Sequence, residues 1–212
     1  MRYVKKTDIP QFFIDDTQNL NKWDGYCAKK KRTLKKYILT NEQNYLCIYC
    51  ENKISFSKSH LEHIKPKSLD IINLTFDYMN ISVSCNGFDT ENDITHYHCG
   101  HRKDKVDTAF DEEKFLNPVV YENIRVYFEY NFDDYKINPS DKDREKASYM
   151  INTLHLNDGG LPLARKKALE IFINRMSTIH NIKERKQKII EILNKNNIAQ
   201  ISFLRYKYKN LF

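Results

Sequence analysis

The chain has 212 residues, of which 41% are hydrophobic, which is enough for one good-sized core or two small ones and excludes wholesale disorder. Its 35 lysines and arginines exceed its 28 aspartates and glutamates, so the formal charge of +7 favours a polyanionic partner, although many basic proteins of this size bind no nucleic acid. The opening MRYVKKTDIPQFF is too charged for a signal peptide, and no stretch approaches the roughly 20 apolar residues that span a bilayer. We therefore expect a cytoplasmic protein with no membrane association.

The first predicted element is an amphipathic helix over residues 19–40. Apolar side chains recur there at spacings of three, four and seven, which indicates one buried helix face that includes Cys27. Basic side chains occupy the other face, as is typical of a solvated helix surface, and contact with DNA is the alternative. The apolar set is Trp23, Tyr26, Cys27, Leu34, Tyr37 and Ile38, and the basic set is Lys29, Lys31, Arg32, Lys35 and Lys36.

Residues 45–104 lose the helical period and are rich in Cys, His, Asn and Asp, which suits short strands and loops around a bound ion. In a cytoplasmic protein such cysteines indicate metal binding or catalysis rather than disulfides. Cys47 and Cys50 are spaced so that one tight turn can present two thiolates to a tetrahedral metal. Cys85 and Cys99 are the candidates for the other two ligands, and a four-cysteine site of this kind would supply folding energy.

The second cysteine pair lacks this tight spacing, because 13 residues separate Cys85 from Cys99. The intervening segment NGFDTENDITHYH must therefore loop out. His96 or His98 could replace one cysteine, since imidazole is an equally good zinc donor. The alternative interpretation is that Cys85 and Cys99 are ordinary buried thiols.

The segment HLEHIKPKS contains a carboxylate, Glu62, directly before a histidine, His63. A phosphodiesterase needs an imidazole that takes a proton from water and a carboxylate that holds a divalent cation. Neighbouring residues of a regular strand point to opposite faces, so we expect irregular backbone at this pair, before Pro66. Asn80 could fix a loop or orient His63, and an ordinary turn asparagine is the alternative.

Beyond Pro118, alternation from Ile124 to Tyr130 predicts a strand pair within residues 119–137, turned near Asp133 and Asp134. Helices are then predicted over residues 140–156, 162–181 and 182–195, with a turn signal at Asp158, Gly159 and Gly160 and a restart at Pro162. A stripe on the second of these helices indicates core packing. It consists of Ala168, Phe172, Met176 and Ile179.

Four short motifs, in this order, resemble those of the HNH nucleases, and the form with paired cysteines is the most similar. They are LCIYCEN, LEHIKPKS, NISVSCNG and HCGHRKD. More narrowly, the chain resembles the HNH subunits of bacterial anti-phage systems, the Septu PtuB proteins and their retron-associated relatives. The opening MRYVKK and the segment INTLHLNDGGLPLAR extend this likeness over most of the chain.

The resemblance implies an α+β fold with a ββα-metal (HNH) core and a four-cysteine structural Zn²⁺ site. The expected organisation is an N-terminal helical segment, the nuclease core, the strand pair and a C-terminal helical subdomain. Their ranges are 1–44, 45–117, 118–138 and 139–212.

The resemblance also implies roles for individual residues. His63 would be the general base, Glu62 a ligand of catalytic Mg²⁺ or Mn²⁺, and Asn80 the middle residue of the motif. The structural zinc ligands would be Cys47, Cys50, Cys85 and Cys99.

The third motif position is open. Many four-cysteine HNH proteins have a metal-binding Asn or His directly after the last cysteine, where this chain has Gly100. We predict that His101 supplies this ligand, with Asn86 as the alternative. Arg102 and Lys103 would lie near phosphate oxygens, unless they are solvated charges at a helix start.

The leading hypothesis is hydrolysis of DNA, with RNA as a possible substrate. Regulation by an ABC-type ATPase subunit, PtuA-like, is implied by the resemblance. The alternative is a zinc-stabilised nucleic-acid-binding or adaptor module with a degenerate catalytic centre, which Gly100 keeps open. A zinc deaminase does not fit, because its His-x-Glu precedes its paired cysteines, whereas here Cys-x-x-Cys comes first.

Overall fold

The computed structural model describes residues 1–69, 74–87, 97–105, 110–158 and 160–212. These ranges combine helices with two small sheets, as the α+β prediction requires. The helices are α1 (Gln11–Thr17), α2 (Ala28–Ile38), α3 (Cys99–Lys103), α4 (Arg144–Thr153), α5 (Leu161–Ser177), α6 (Ile182–Asn194) and α7 (Ile201–Lys207). The strands are β1 (Ser59–His63), β2 (Ile81–Cys85), β3 (Phe128–Tyr130) and β4 (Ile137–Pro139). In the described part of the chain no helix has the length and apolar character to cross a membrane.

The strands β1 and β2 form an antiparallel hairpin that carries the predicted site. Their register runs without interruption from Ser59 opposite Cys85 to His63 opposite Ile81. Helix α3 follows and packs against β2 and α4. The order β1, β2, α3 is consistent with the ββα core that the HNH resemblance implies.

The predicted N-terminal helix begins too early. α2 starts at Ala28, because the preceding residues 19–25 include the turn formers Asn, Asp and Gly, and Trp23–Gly25 forms a 3-10 turn. Cys27 is extended at the cap of α2 and its side chain is exposed, so its prediction as a core residue is wrong. Helix α1 was not predicted.

The predicted strand pair is present but shorter. β3 and β4 are antiparallel, with Phe128 opposite Pro139, and the connection between them contains Asp133 and Asp134 as expected. The residues before β3, Ile124–Tyr127, form a 3-10 helix although their pattern alternates.

The three predicted C-terminal helices correspond to α4, α5 and α6. α4 is shorter at both ends, α5 begins one residue earlier and ends four residues earlier than predicted, and α6 ends one residue earlier. Phe172 and Met176 of the predicted stripe are buried in the core. A further helix, α7, was missed. It is tied to the cysteine region through Glu51, whose carboxylate accepts hydrogen bonds from the backbone nitrogen (2.9 Å) and the Oγ (2.6 Å) of Ser202.

One hydrophobic cluster runs through all of these elements. Leu34 of α2, Ile81 of β2, Met150 of α4 and Leu193 of α6 are each 0% exposed and belong to it. The hairpin is therefore held between helices that precede and follow it in the chain.

Candidate metal and catalytic centre

The sulfur atoms of four cysteines meet beside the hairpin. Cys47 and Cys50 lie on a tight turn, in which the nitrogen of Cys47 donates to the carbonyl oxygen of Asn52 (2.9 Å) and Glu51 takes a positive φ of 61°. Cys85 ends β2 and Cys99 begins α3. All four are buried, and their sulfurs lie within 4.8 Å of one another.

This arrangement fits a tetrahedral metal such as zinc. A Zn–S bond of about 2.3 Å gives sulfurs about 3.8 Å apart at the corners of a tetrahedron. The sulfurs of Cys50 and Cys85 are 3.8 Å apart. The Cys47 sulfur also accepts a hydrogen bond from the backbone nitrogen of Cys85 (3.3 Å). The four cysteines can therefore hold a metal without a large rearrangement.

The long spacing between Cys85 and Cys99 is closed by one backbone contact. The nitrogen of His98 donates to the carbonyl oxygen of Gly87 at 2.7 Å. Gly87 has a φ of +71°, and a Cβ there would lie 2.0 Å from the His98 oxygen, so only glycine fits. The chain thus leaves and re-enters the site at neighbouring points, as the predicted loop requires.

Of the two histidines predicted as alternative zinc ligands, His98 lies beside the cysteine sulfurs. His98 places its Nδ1 3.1 Å from the Cys99 sulfur and 3.7 Å from the Cys85 sulfur, but the four cysteines form the cluster without it. His96 lies outside the described residues.

Glu62, the carboxylate of the predicted catalytic pair, is buried and only 1% exposed. Its Oε1 accepts a hydrogen bond from the Tyr49 hydroxyl (2.8 Å) and pairs with the Lys103 ammonium (3.1 Å). Its Oε2 lies 3.2 Å from Nε2 of His60. Burial raises the pKa of Glu62, but the charge of Lys103 and the contact with His60 outweigh it and leave the pKa below its ordinary value. The carboxylate is therefore ionised.

His60 was missed by the sequence reasoning. Its ring stacks on that of His101 with centroids 4.2 Å apart, and its Nδ1 is 3.5 Å from Oδ1 of Asn86. Glu62, His60 and the predicted alternatives His101 and Asn86 are thus neighbours. The available signal was the spacing His-x-Glu, since residues two apart in a strand share a face.

Gly100 has a steric role at this point. A Cβ on Gly100 would lie 2.1 Å from Oε2 of Glu62 and 2.9 Å from Nε2 of His60. A side chain at this position is therefore incompatible with the observed place of the carboxylate. The departure from the family pattern at Gly100 makes room for Glu62.

His63 ends β1, and its ring contacts Trp23 and Thr75. Its ring meets that of Trp23 edge-on, with centroids 4.4 Å apart, and its Nε2 donates to the carbonyl oxygen of Thr75 at 3.0 Å. Burial lowers the pKa of His63, and the charges of Lys67 and Lys103 lower it further, against the opposing effect of the Thr75 carbonyl.

The expected irregular backbone at Glu62 and His63 is wrong, because the ladder is regular through His63. Regular pairing favours their side chains on opposite faces of β1. Lys103 links the two residues, since its ammonium also donates to the carbonyl oxygen of His63 at 2.9 Å.

Asn80 fixes the turn that follows β1. Its Oδ1 accepts from the nitrogen of Lys65 (2.7 Å), and its Nδ2 donates to the carbonyl oxygens of Lys65 (3.1 Å) and Leu74 (3.0 Å). The sequence allowed Asn80 either to fix a loop or to orient His63, and these direct contacts are those of a residue that fixes a loop.

Lys103 and Arg102, the predicted phosphate contacts, lie in different surroundings. The Lys103 side chain is 1% exposed and is bonded to Glu62 and Asp104, so it is not a solvated charge. Arg102 lines a cavity of about 640 Å³ with residues of α4, including Tyr149.

A protein of Vibrio cholerae serotype O1 biovar El Tor, named "Retron Vc95 putative HNH endonuclease", is 36% identical to this chain over 156 residues. The match covers 70% of this chain and 70% of that protein. No protein-family model matches the chain. The name refers to a retron and not to Septu, so the narrower likeness to PtuB stays a prediction. At this identity and coverage, the chain belongs to the HNH endonuclease family.

Proposed function

We propose that this protein is a metal-dependent endonuclease that hydrolyses the phosphodiester bonds of DNA. One observation carries the proposal. An ionised, buried carboxylate, Glu62, and a histidine with one nitrogen fixed by a carbonyl group, His63, lie at the end of β1. Regular pairing favours opposite faces for their side chains, and Lys103 links the two residues, since its ammonium contacts the Glu62 carboxylate (3.1 Å) and the His63 carbonyl oxygen (2.9 Å). Structured RNA is the second possible substrate, because the two backbones share the bond that is cut.

His63 is the proposed general base. A carbonyl oxygen only accepts hydrogen bonds, so the contact with Thr75 places the proton of neutral His63 on Nε2 and leaves Nδ1 as the acceptor. Nδ1 removes a proton from water, the water oxygen bonds to phosphorus, and the bond to the leaving sugar oxygen breaks. The lowered pKa of His63 keeps the ring in the neutral form that this step needs.

Glu62, His101 and the newly found His60 are the proposed ligands of Mg²⁺ or Mn²⁺. Such a cation stabilises the charge that develops on the phosphate and the leaving oxygen. Within the described residues only the four cysteines bring three or more ligand atoms within 4.8 Å of one another. This does not conflict with a magnesium site, because Mg²⁺ usually keeps several waters and takes only one or two carboxylates. Oε2 of Glu62 is the oxygen that Lys103 does not occupy.

The four cysteines are proposed to bind a structural Zn²⁺ that joins the Cys47 turn, β2 and α3. Because Cys99 begins the helix that carries His101, this ion would set the position of the third motif ligand. Structural zinc sites contribute directly to folding free energy.

The adaptor hypothesis rested on Gly100 as a sign of a decayed centre. The steric role of Gly100 supports the nuclease instead, since glycine is what the Glu62 carboxylate requires there. The buried Tyr49 and Lys103 and the partly buried His60 around that carboxylate also form a built polar site rather than a remnant.

A role in anti-phage defence with a PtuA-like, ABC-type ATPase is a further part of the proposal. The retron in the name of the Vibrio cholerae relative supports a defence role. A groove of about 490 Å³ between α5, α6 and the C-terminal residues is a suitable surface for such a partner. It is lined by the apolar side chains of Ile173, Met176, Ile182 and Ile189 and by Arg185, Lys186 and Lys207.

The test is cleavage of matched DNA and RNA substrates by the purified zinc-loaded protein. Divalent cations are removed and then restored singly as Mg²⁺ or Mn²⁺, with and without an ATPase encoded beside the gene. Cation-dependent cleavage of DNA is the expected result. No cleavage of either nucleic acid under any of these conditions would overturn the proposal in favour of the adaptor.

A further inference from the structure

Two lysines from different segments meet at the ring of Trp23, next to His63. The ammonium of Lys31 on α2 lies 5.0 Å from the centroid of the Trp23 ring, and that of Lys67 lies 5.8 Å from it. The same ring contacts His63 edge-on at 4.4 Å. We name Trp23, Lys31 and Lys67 the Trp23 cluster.

The two cluster lysines carry positive charge that the described residues do not neutralise. Neither ammonium has a carboxylate within 4.0 Å in the described part of the chain, whereas nearby lysines are engaged. Lys35 donates to the carbonyl oxygens of Phe56 (2.7 Å) and Ser59 (2.8 Å). The neighbouring ion pairs are Lys30 with Asp16 and Lys65 with Glu112.

Two ammonium groups for which the described residues supply no carboxylate, held at one aromatic ring that also contacts His63, favour an anion at that place. Together they attract negative charge to this part of the surface. Lysine is suited to this as a point charge that binds phosphate without reading the base.

The basic surface continues along α2, away from the cluster. This helix contains no acidic residue, and its outer face borders a groove of about 590 Å³ beside Phe56. The basic side chains that line the groove are Lys29, Arg32 and Lys36. A polyanion that reaches His63 can therefore follow α2.

We propose that Lys31 and Lys67 bind backbone phosphates of the DNA strand next to the phosphate attacked by the water that His63 activates. The proposal rests on the nuclease function and names the surface by which the substrate enters. The contacts are to the backbone, so they strengthen binding without sequence preference.

Trp23 fluorescence reports directly on DNA binding at the Trp23 cluster, because Trp23 is the only tryptophan of the chain. The probe is a 20-base-pair DNA duplex of mixed sequence, titrated into the zinc-loaded 212-residue chain carrying His63→Ala to prevent cleavage. Trp23 fluorescence and the anisotropy of labelled DNA are measured together over a range of salt concentrations. All further variants are made in this background.

The test variant is Lys31→Gln/Lys67→Gln, and the charge-conserving variant is Lys31→Arg/Lys67→Arg. The control, Lys167→Gln/Lys183→Gln, removes the same charge from exposed positions of α5 and α6. We expect the Gln variant to bind roughly tenfold more weakly and its slope of log K against log salt to fall by about 2. The Arg variant and the control should retain the affinity and slope of the parent.

Equal affinity and equal salt slope in the Gln variant and the control would overturn this proposal, even if the wild-type protein cleaves DNA. Absence of DNA binding by the parent would overturn it as well. Lysine-dependent binding together with a wild-type protein that cuts nothing would instead uphold the surface and refute the nuclease function.

Discussion

Nε2 of His63 lies 3.0 Å from the carbonyl oxygen of Thr75, and this contact determines which nitrogen of the ring carries the proton. Asn80 supports the contact, since its amide donates to the carbonyl oxygen of Leu74, the residue before Thr75. The turn after β1 thus orients a side chain at the end of β1. The Asn80 side chain holds that turn in place through hydrogen bonds to backbone groups of Lys65 and Leu74.

We predict that His63 is neutral, with its proton on Nε2. Its pKa is lowered, so as pH falls the neutral form persists below the ordinary histidine value of 6.5. The measurement is nitrogen NMR of protein labelled at histidine, with the His63 signals assigned by their loss in His63→Ala. A proton on Nδ1, or a ring that becomes charged above pH 6.5, would contradict the account.

We predict that Gly100→Ala impairs the protein. In a helix this exchange ordinarily stabilises by about 0.5–1 kcal/mol, but here the new Cβ would lie 2.1 Å from the Glu62 carboxylate. Overpacking of this kind costs about 1–3 kcal/mol, and the displaced carboxylate should reduce cleavage. The control is Gly25→Ala, whose Cβ would meet Leu20 at an ordinary 3.4 Å. A Gly100→Ala protein as stable and active as the control would show that Glu62 does not need this space.

We predict that Lys103→Met destabilises the fold by about 3 kcal/mol, because it leaves the Glu62 carboxylate buried without its partner. Mn²⁺ should then raise the melting temperature more in this variant than in the wild type, since the ammonium on Oε1 no longer neutralises the carboxylate and repels the cation. The control is Lys105→Met at an exposed position. Equal Mn²⁺ shifts in all three proteins would argue against a cation at Glu62.

We predict one Zn²⁺ per chain, lost in Cys50→Ser and kept in Cys27→Ser. Cys50 lies in the four-sulfur cluster, whereas Cys27 is exposed. Metal content by mass spectrometry and thermal unfolding are measured for both variants, and a chelator should unfold the wild type. Full zinc content and normal stability in Cys50→Ser would remove the structural zinc from the account.

The sequence allowed the cysteine cluster to be predicted because residue type and spacing carry its chemistry, whereas the roles of Glu62 and His63 stay predictions. The start of α2 was misplaced because the apolar period through Trp23 and Cys27 outweighed the turn formers between them. The burial of Lys103 could not be predicted, since it depends on a carboxylate 41 residues earlier in the chain. Long-range contacts of this kind are not visible in local patterns.

The most direct measurement is plasmid nicking by wild type, His63→Ala and His180→Ala at equal zinc content, with Mg²⁺ or Mn²⁺ present. His180 is an exposed histidine between α5 and α6 and serves as the matched control. The account predicts that wild type and His180→Ala cleave DNA, while His63→Ala keeps its zinc and its fold and loses cleavage. Undiminished cleavage by His63→Ala would contradict the assignment of His63 as the general base.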